Sequence, residues 1–339
     1  MTLNAVWFAL IAVLFTGYAV LDGFDLGVGI LHLVTGKNDN ERRIALNAIG
    51  PVWDGNEVWL ITGGGALFAA FPKVYATVFS GFYLAMMLVL LSLILRAVSL
   101  EFRSKNASPA WRNFWDWLFS IGSVLASVLF GVAVGNLMRG IPIDADGNFT
   151  GTFFGLLNPF SILVGLLSLC MFTMQGATYL AVKTEGEQQK RAENWALRSY
   201  VAFIILYLVA ASWGAIEAKP VAARYFASPA AWLAVAPLIL GAIMLPLMLR
   251  KGRALGAFYA SSLCIASLNL ILAVGAYPLL APSSSDPNNN LTAFNASSTP
   301  LTLKTMLIMA LVGMPLVIAY TAWIYHAFRG KVRLEATSY

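Results

Sequence analysis

Four carboxylates stand where an apolar sequence has least use for them. Asp22 and Asp25 lie three residues apart in Leu21-Asp-Gly-Phe-Asp-Leu-Gly-Val-Gly29, and Asp54 and Glu57 repeat that spacing in Gly50-Pro-Val-Trp-Asp-Gly-Asn-Glu-Val-Trp59. Residues three apart on a helix project from one face, so each pair presents two acids to a common neighbour. An Asp near the centre of a bilayer costs about 2.5 to 3.5 kcal/mol on insertion scales, and acids inside a span need a reason. Desolvation disfavours a buried carboxylate's charge and nearby cations favour it, the balance required to accept and release protons. A proton-entry path through Asp54, Asp25, Asp22 and Glu57 is therefore the favoured expectation. A structural alternative stands beside it. Pro51 suits the first turn of a helix, where Asp54 would meet free N–H groups and the positive end of the dipole. Lys37, Glu41, Arg42 and Arg43 could equally close an ionic knot with the acids.

Other chemistry is thinly supplied. The only histidines, His32 and His326, each fall near one end of an apolar run, a place that suits an interfacial side chain better than an axial haem ligand. Cys170 and Cys264 lie inside apolar runs without Cys-x-x-Cys spacing, which supports neither a disulfide nor a zinc site. The 11 Met residues read as core filler, and the 10 Trp and 12 Tyr suit interface belts or the wall of a quinone tail. No phosphate-binding loop or nucleophile triad is present in the sequence.

The elements that must position the acids are membrane spans. With 59% hydrophobic and 11% charged residues in 339, and a mean hydropathy of +0.74, the chain has more apolar surface than a soluble core could hide. A net charge of +6 arises from short Lys and Arg clusters between apolar runs, not from a basic face, so nucleic acid is not an expected partner. Nine segments can span a hydrocarbon core of about 30 Å as helices. They run from Ala5 to Val34, Asn47 to Phe71, Val74 to Ala97, Phe114 to Leu137, Pro159 to Val182, Ala196 to Ile216, Ala230 to Leu249, Leu255 to Leu280 and Leu301 to Phe328.

The fold class expected is thus an all-α integral membrane protein of nine transmembrane helices, residues 1–339 forming one transmembrane domain. Of 22 Lys and Arg, only Lys73, Arg139, Lys219, Arg224 and Lys304 fall on the side of the even-numbered loops; the other 17 fall opposite. Positive charge marks the cytoplasmic side, which puts the amino terminus in the periplasm and the carboxyl terminus in the cytoplasm. Both acid pairs then sit in the inner half of one helix hairpin. Lys37 is the first basic residue, so a cleaved leader is not expected. The long outer loops, Met138 to Asn158 and Ala281 to Pro300, read as plain solvated connections. Gly23 with Gly27, Gly131 with Gly135, and Gly63 to Gly65 allow close helix approach.

The runs Asp22-Gly-Phe-Asp-Leu-Gly-Val-Gly29 and Trp53-Asp-Gly-Asn-Glu-Val-Trp-Leu-Ile61 resemble the amino-terminal signature of cytochrome bd oxidase subunit II. So do Gly63-Gly-Gly-Ala-Leu-Phe-Ala-Ala-Phe-Pro72, Trp111-Arg-Asn-Phe-Trp-Asp-Trp117, Gln175-Gly-Ala-Thr-Tyr-Leu180 and Tyr320-Thr-Ala-Trp323, in family order along nearly the whole chain. The resemblance implies a subunit of an electrogenic ubiquinol or menaquinol oxidase in the bacterial inner membrane. It implies a haem-bearing subunit I, holding haem b and haem d, that oxidises quinol at the outer face and reduces oxygen to water. It also implies no haem on this chain, a structural quinone in some members, a small single-span accessory subunit, and a proton channel whose entry is associated with Asp54. Val52 and Glu57 depart from the commonest enterobacterial pattern of His and Gln, and look more like the cyanide-insensitive branch. Two other readings compete. An ion-coupled transporter predicts broken helices or paired repeats near the midplane, which the sequence does not display. A scaffold subunit predicts acids with a purely structural part.

Overall fold

The computed structural model describes residues 2–334, with the side chains at 219, 220, 230 and 231 left aside; Tyr339, which marks the cytoplasmic carboxyl terminus expected above, lies outside the described residues. Twelve α-helices follow in order: α1 (Leu3–Thr35), α2 (Asp39–Ile49), α3 (Trp53–Ala70), α4 (Pro72–Gly81), α5 (Tyr83–Phe102), α6 (Pro109–Arg139), α7 (Pro159–Lys183), α8 (Gly186–Glu217), α9 (Lys219–Ala227), α10 (Pro229–Arg250), α11 (Ala254–Ala276) and α12 (Pro300–Ala327). Among the described residues, eight of them are long and apolar enough to cross a membrane: α1, α5, α6, α7, α8, α10, α11 and α12. The second expected span departs from the sequence reading. Its helix, α3, has 18 residues and opens with Asp54, Asn56 and Glu57, so it falls short of the apolar length the others have.

Local chemistry explains most boundaries. The Thr2 hydroxyl accepts from the Ala5 N–H at the start of α1, and the side chain of Asn38 accepts from Glu41 N at the start of α2. Pro159 stands in the first turn of α7, where its missing donor costs nothing, behind the cap of Asn158 on Ser161 N. The third expected span is two helices, α4 and α5, parted at Phe82. Gly81 there lies flat against the Phe149 ring, with no room for a Cβ. The chain after α7 turns helical well before the sixth expected span, because α8 begins at Gly186, and the next loop contains α9.

Glycine sets the closest crossings. A Cβ on Gly27 or Gly176 would overlap the other helix's backbone, so α1 and α7 meet main chain to main chain. Gly131 and Gly135 bring α6 against Val164, Gly165 and Ser161 of α7 in the same way. Gly64 and Gly65, by contrast, face open space.

The two long loops expected to be plain outer connections are more than that. Ile141, Ile143, Leu156, Ala281, Leu291, Ala293 and Ala296 bury together with Trp7, Phe71 and Phe82 as one apolar cluster. Strands β1 (Leu279–Ala281) and β2 (Leu291–Thr292) pair antiparallel, and Ile141 N donates to Pro282 O. Apolar residues spaced among Gly, Pro, Ser and Asn thus fold the loops into a cap over one end of the bundle. The opposite end carries α2 and the short 3-10 turn Arg103–Lys105.

Candidate functional site

The acids of α1 meet a base that the loop count had treated as a topology marker. Arg96 sits in the apolar run of α5 and is wholly buried. Its Nη2 donates to Asp22 Oδ1 at 2.6 Å and its Nη1 to Asp22 Oδ2 at 3.2 Å, a two-pronged pair of the kind guanidinium and carboxylate planes favour. Nη1 also donates to Glu57 Oε1 at 2.8 Å, and Asp25 Oδ2 stands 4.0 Å from Nη2. Asp22 and Asp25 are wholly buried and the Glu57 side chain is 20% exposed. One guanidinium therefore faces three carboxylates.

A second line of polar groups reaches Asp25. Asn56 Nδ2 donates to Asp25 Oδ2 at 2.7 Å, and the Tyr325 hydroxyl donates to Asn56 Oδ1 at 2.9 Å. Phe24 stacks on Tyr179 with centroids 4.0 Å apart, and its edge contacts to Phe258 and Tyr325 complete an aromatic wall beside this line. Asp25 Oδ1 and Arg96 Nε are buried without a hydrogen-bond partner among the described residues. Buried polar atoms are seldom left so unless a water or a proton completes them.

Asp54 is placed differently from the expectation. It is exposed, and it makes no side-chain hydrogen bond or ion pair with the described residues; Asn56, two positions on, is the residue that reaches Asp25. The outward face of α3 runs through Asp54, Val58, Ile61, Gly65 and Phe68, a helical stripe that nothing among the described residues covers. The structure thus gathers Asp22, Asp25 and Glu57 and leaves Asp54 at the rim.

The ionic knot foreseen for the acids forms elsewhere. Arg42 pairs with Asp116 (2.9 Å) and Glu41 with Arg191 (2.6 Å), neither with Asp22 or Asp25. Asp116 of α6 also takes His32 Nε2 at 2.6 Å and Arg103 Nε at 2.5 Å, while Arg103 and Arg112 share Asp39 at 2.8 Å each. His32 is wholly buried, not interfacial, with its ring edge-on to Phe119. Its Nε2 is taken by Asp116, and its Nδ1 is buried without a hydrogen-bond partner among the described residues. His326 is exposed in the last turn of α12.

Sequence reasoning missed Arg96, Asn56, Tyr325, Asp116 and Arg103. Two of them carried a signal. Arg96 interrupts Leu88-Val-Leu-Leu-Ser-Leu-Ile-Leu95, and Asp116 falls inside the fourth expected span, where a charge is as unusual as at Asp22. Asn56 and Tyr325 carry no such mark.

Comparison with known proteins was made on the whole chain. The family model for cytochrome bd terminal oxidase subunit II matches residues 3–328. Cytochrome bd-I ubiquinol oxidase subunit 2 of Escherichia coli K12 is 42% identical over 98% of this chain and 96% of its own length. Cytochrome bd ubiquinol oxidase subunit 2 of Bacillus subtilis 168 is 37% identical over 98% and 97%. Among solved structures, a chain of the bd oxidase from Geobacillus thermodenitrificans superposes with a TM-score of 0.79 over 97% of this chain and 99% of its own, at 17% identity, a likeness of fold.

Proposed function

The chain belongs to the cytochrome bd terminal oxidase subunit II family, and from that premise we propose that it is the subunit without haem of a respiratory quinol:oxygen oxidoreductase in the bacterial inner membrane. Its haem-bearing partner oxidises quinol and reduces oxygen; this chain supplies part of the path by which cytoplasmic protons arrive. In this reading α3 is a ninth span, shorter and more polar than the rest because a protein partner covers it. An exposed Asp54 in lipid would cost about 2.5 to 3.5 kcal/mol, and a polar partner surface removes that cost. The end that carries α2 faces the cytoplasm, as the distribution of Lys and Arg requires.

The observation that carries the proton role is the three-to-one surplus of acids around Arg96. Arg96 stays paired through Asp22 whatever the state of the other two acids, so the cluster can gain or lose a proton without stranding a buried guanidinium. Asp54, Glu57 and the Asp22–Asp25 pair grade from exposed to half-buried to wholly buried, a sequence of stations from water inward. Asn56 and Tyr325 hold Asp25 in place and join it to a pocket of about 300 Å3 lined by Asn47, Tyr179, Tyr325 and the segment after α12.

Oxygen uptake per haem in the purified complex tests this reading. Asp25→Asn keeps size and much of the hydrogen bonding but removes the proton-carrying group, and turnover should fall at least tenfold with assembly and the haem spectrum intact. Asp54→Asn should fall in the same direction and Asp54→Glu should recover part of the rate. Wild-type rates in both Asn variants would assign the acids a structural part only.

A further inference from the structure

The pocket beside Tyr325 has a composition that proton entry does not explain. Four cations line it, Lys183, Arg329, Lys331 and Arg333, and no Asp or Glu is among its described lining residues. Three of the four come from the short segment that follows α12, and this segment is fastened, not trailing. Lys183 Nζ donates to Phe328 O at 2.6 Å, and Val332 N donates to Lys183 O at 2.9 Å. Lys331 Nζ donates to Ala181 O in the last turn of α7 at 3.1 Å, to Thr184 O just past it at 2.5 Å and to Gln189 Oε1 at 3.2 Å. Gly330, at φ +97°, allows the chain to double back under the bundle, a conformation that a side chain at this position would resist.

Fastening the segment has an electrostatic consequence. Lys331 and Lys183 satisfy their ammonium groups on neutral oxygens, backbone carbonyls and the Gln189 amide, which bear no compensating charge. The guanidinium groups of Arg329 and Arg333 make no hydrogen bond or ion pair with the described residues, and both residues are exposed. Like charges held within a Debye length of about 8 Å repel unless an anion sits between them. Apart from Asn47, the rest of the lining is mostly apolar or aromatic, with Val52, Tyr179, Tyr325, Phe328 and Val332 its largest side chains. A free inorganic anion would gain nothing from that surface, whereas an anion attached to a less polar body would cover it.

We propose that this pocket binds a phosphate-bearing anion, the phosphodiester headgroup of an acidic membrane phospholipid, between Arg329 and Arg333 and with its glycerol portion against Phe328 and Val332. Arginine suits a phosphate because its planar fork of donors matches two oxygens at once. The position, at the membrane-flanking end of α12 and α7, is where lipid headgroups lie. The pocket shares Tyr325 with the line to Asp25, but the arginines that would hold the anion lie outside the Arg96 cluster, so anion binding does not depend on whether Asp25 carries protons.

Native mass spectrometry of the purified oxidase complex, exchanged into neutral detergent and titrated with phosphatidylglycerol, reads the site directly. The wild-type complex should retain one phosphatidylglycerol in preference to phosphatidylcholine. Arg329→Gln with Arg333→Gln should weaken retention by roughly thirtyfold, at roughly fivefold per charge lost, and excess inorganic phosphate should not displace the lipid from the wild type. Lys251→Gln with Arg253→Gln, on the short connection between α10 and α11 and outside the pocket, is the control for diffuse attraction and should leave retention unchanged. Phosphate binding that needs Arg329 and Arg333, with no lipid preference, would keep the anion site and assign it to the free ion. Equal weakening in the control variant, or unchanged retention in the Arg329 and Arg333 variant, would overturn the proposal.

Discussion

Around Asp116, one carboxylate faces His32, Arg42 and Arg103; around Arg96, one guanidinium faces Asp22, Asp25 and Glu57. The two clusters share α1, with His32 two turns beyond Asp25 on the same face. Their opposite proportions give them opposite uses. Arginines do not give up their protons, so a lone acid among them is locked in one charge state. Acids gathered around a single arginine have more than one way to be balanced. A buried charge in a membrane protein is thus not a functional site by virtue of burial alone; what its neighbours can exchange decides.

The largest effect that would break this contrast is in the acid-poor cluster. Asp116→Asn leaves the buried Arg103 with only the exposed Asp39 and takes from Arg42 its ion-pair partner, at a cost of about 3 to 5 kcal/mol. The complex should assemble poorly and lose several degrees or more of thermal stability, measured by a melt of the purified oxidase, while turnover per assembled haem stays near normal. An unchanged melt would mean that the cluster does not hold α1, α2 and α6 together.

Arg96→Gln comes next, at about 3 kcal/mol, the low end of the same range, because it leaves Asp22 buried with no cation but free to take up a proton. Adding Asp22→Asn should recover most of the lost stability, whereas adding Asp54→Asn should recover none, since Asp54 is bonded to neither residue. Equal recovery by both would show that the coupling is through net charge and not through the pair.

Much of this was legible beforehand and some was not. The membrane class, seven of the nine apolar segments and the closeness of Asp22, Asp25 and Glu57 follow from periodicity and from the oddity of acids in apolar runs. The division of the third segment at Phe82 was hidden because it depends on Phe149, nearly seventy residues away, lying against Gly81. The choice of Asn56 over Asp54 as the neighbour of Asp25 was hidden too. Both lie within three residues on the same short helix, and only the rotation of α3 against α1 decides which turns inward. Arg96 was visible as a residue and misread as a loop charge, because counting Lys and Arg by side assumes that none lies within the bundle. The cap escaped notice because its apolar residues are scattered singly among turn formers, with no period to detect.

A smaller effect tests the line that enters the Arg96 cluster. Tyr325→Phe removes one hydroxyl that donates to Asn56, worth about 0.5 to 1.5 kcal/mol. Oxygen uptake should fall roughly two- to tenfold through loosened placement of Asn56 and Asp25, and the melt should barely move. A full rate would separate Tyr325 from the path.

The smallest expectation concerns an acid outside both clusters, and it sharpens the contrast by supplying a solvated reference. Asp144, in the cap, accepts from the backbone N–H of Asn148 and Asp146, and those bonds hold its carboxyl below the ordinary value of 3.8. A depressed value means that the bonds contribute above the ordinary range and are lost as pH falls through the lowered value. Protection of the Asn148 amide, its exchange rate relative to the intrinsic rate at the same pH, should therefore persist at neutral pH and fall only below about pH 4, with the rest of the cap unaffected. Exchange that is already fast at neutral pH would show that the turn does not depend on this acid.

The pairing of Asp22 with Arg96 also imposes an order on biosynthesis. The two acids of α1 leave the ribosome about seventy residues before Arg96, an interval of about 4 to 14 seconds at about 5 to 20 residues per second. For that time the insertion machinery handles a segment with two carboxylates and no base, against an insertion penalty of about 5 to 7 kcal/mol for the two. The final depth and rotation of the first helix are therefore settled only when α5 arrives, and nascent α1 must stay beside the translocon or a protein neighbour until then.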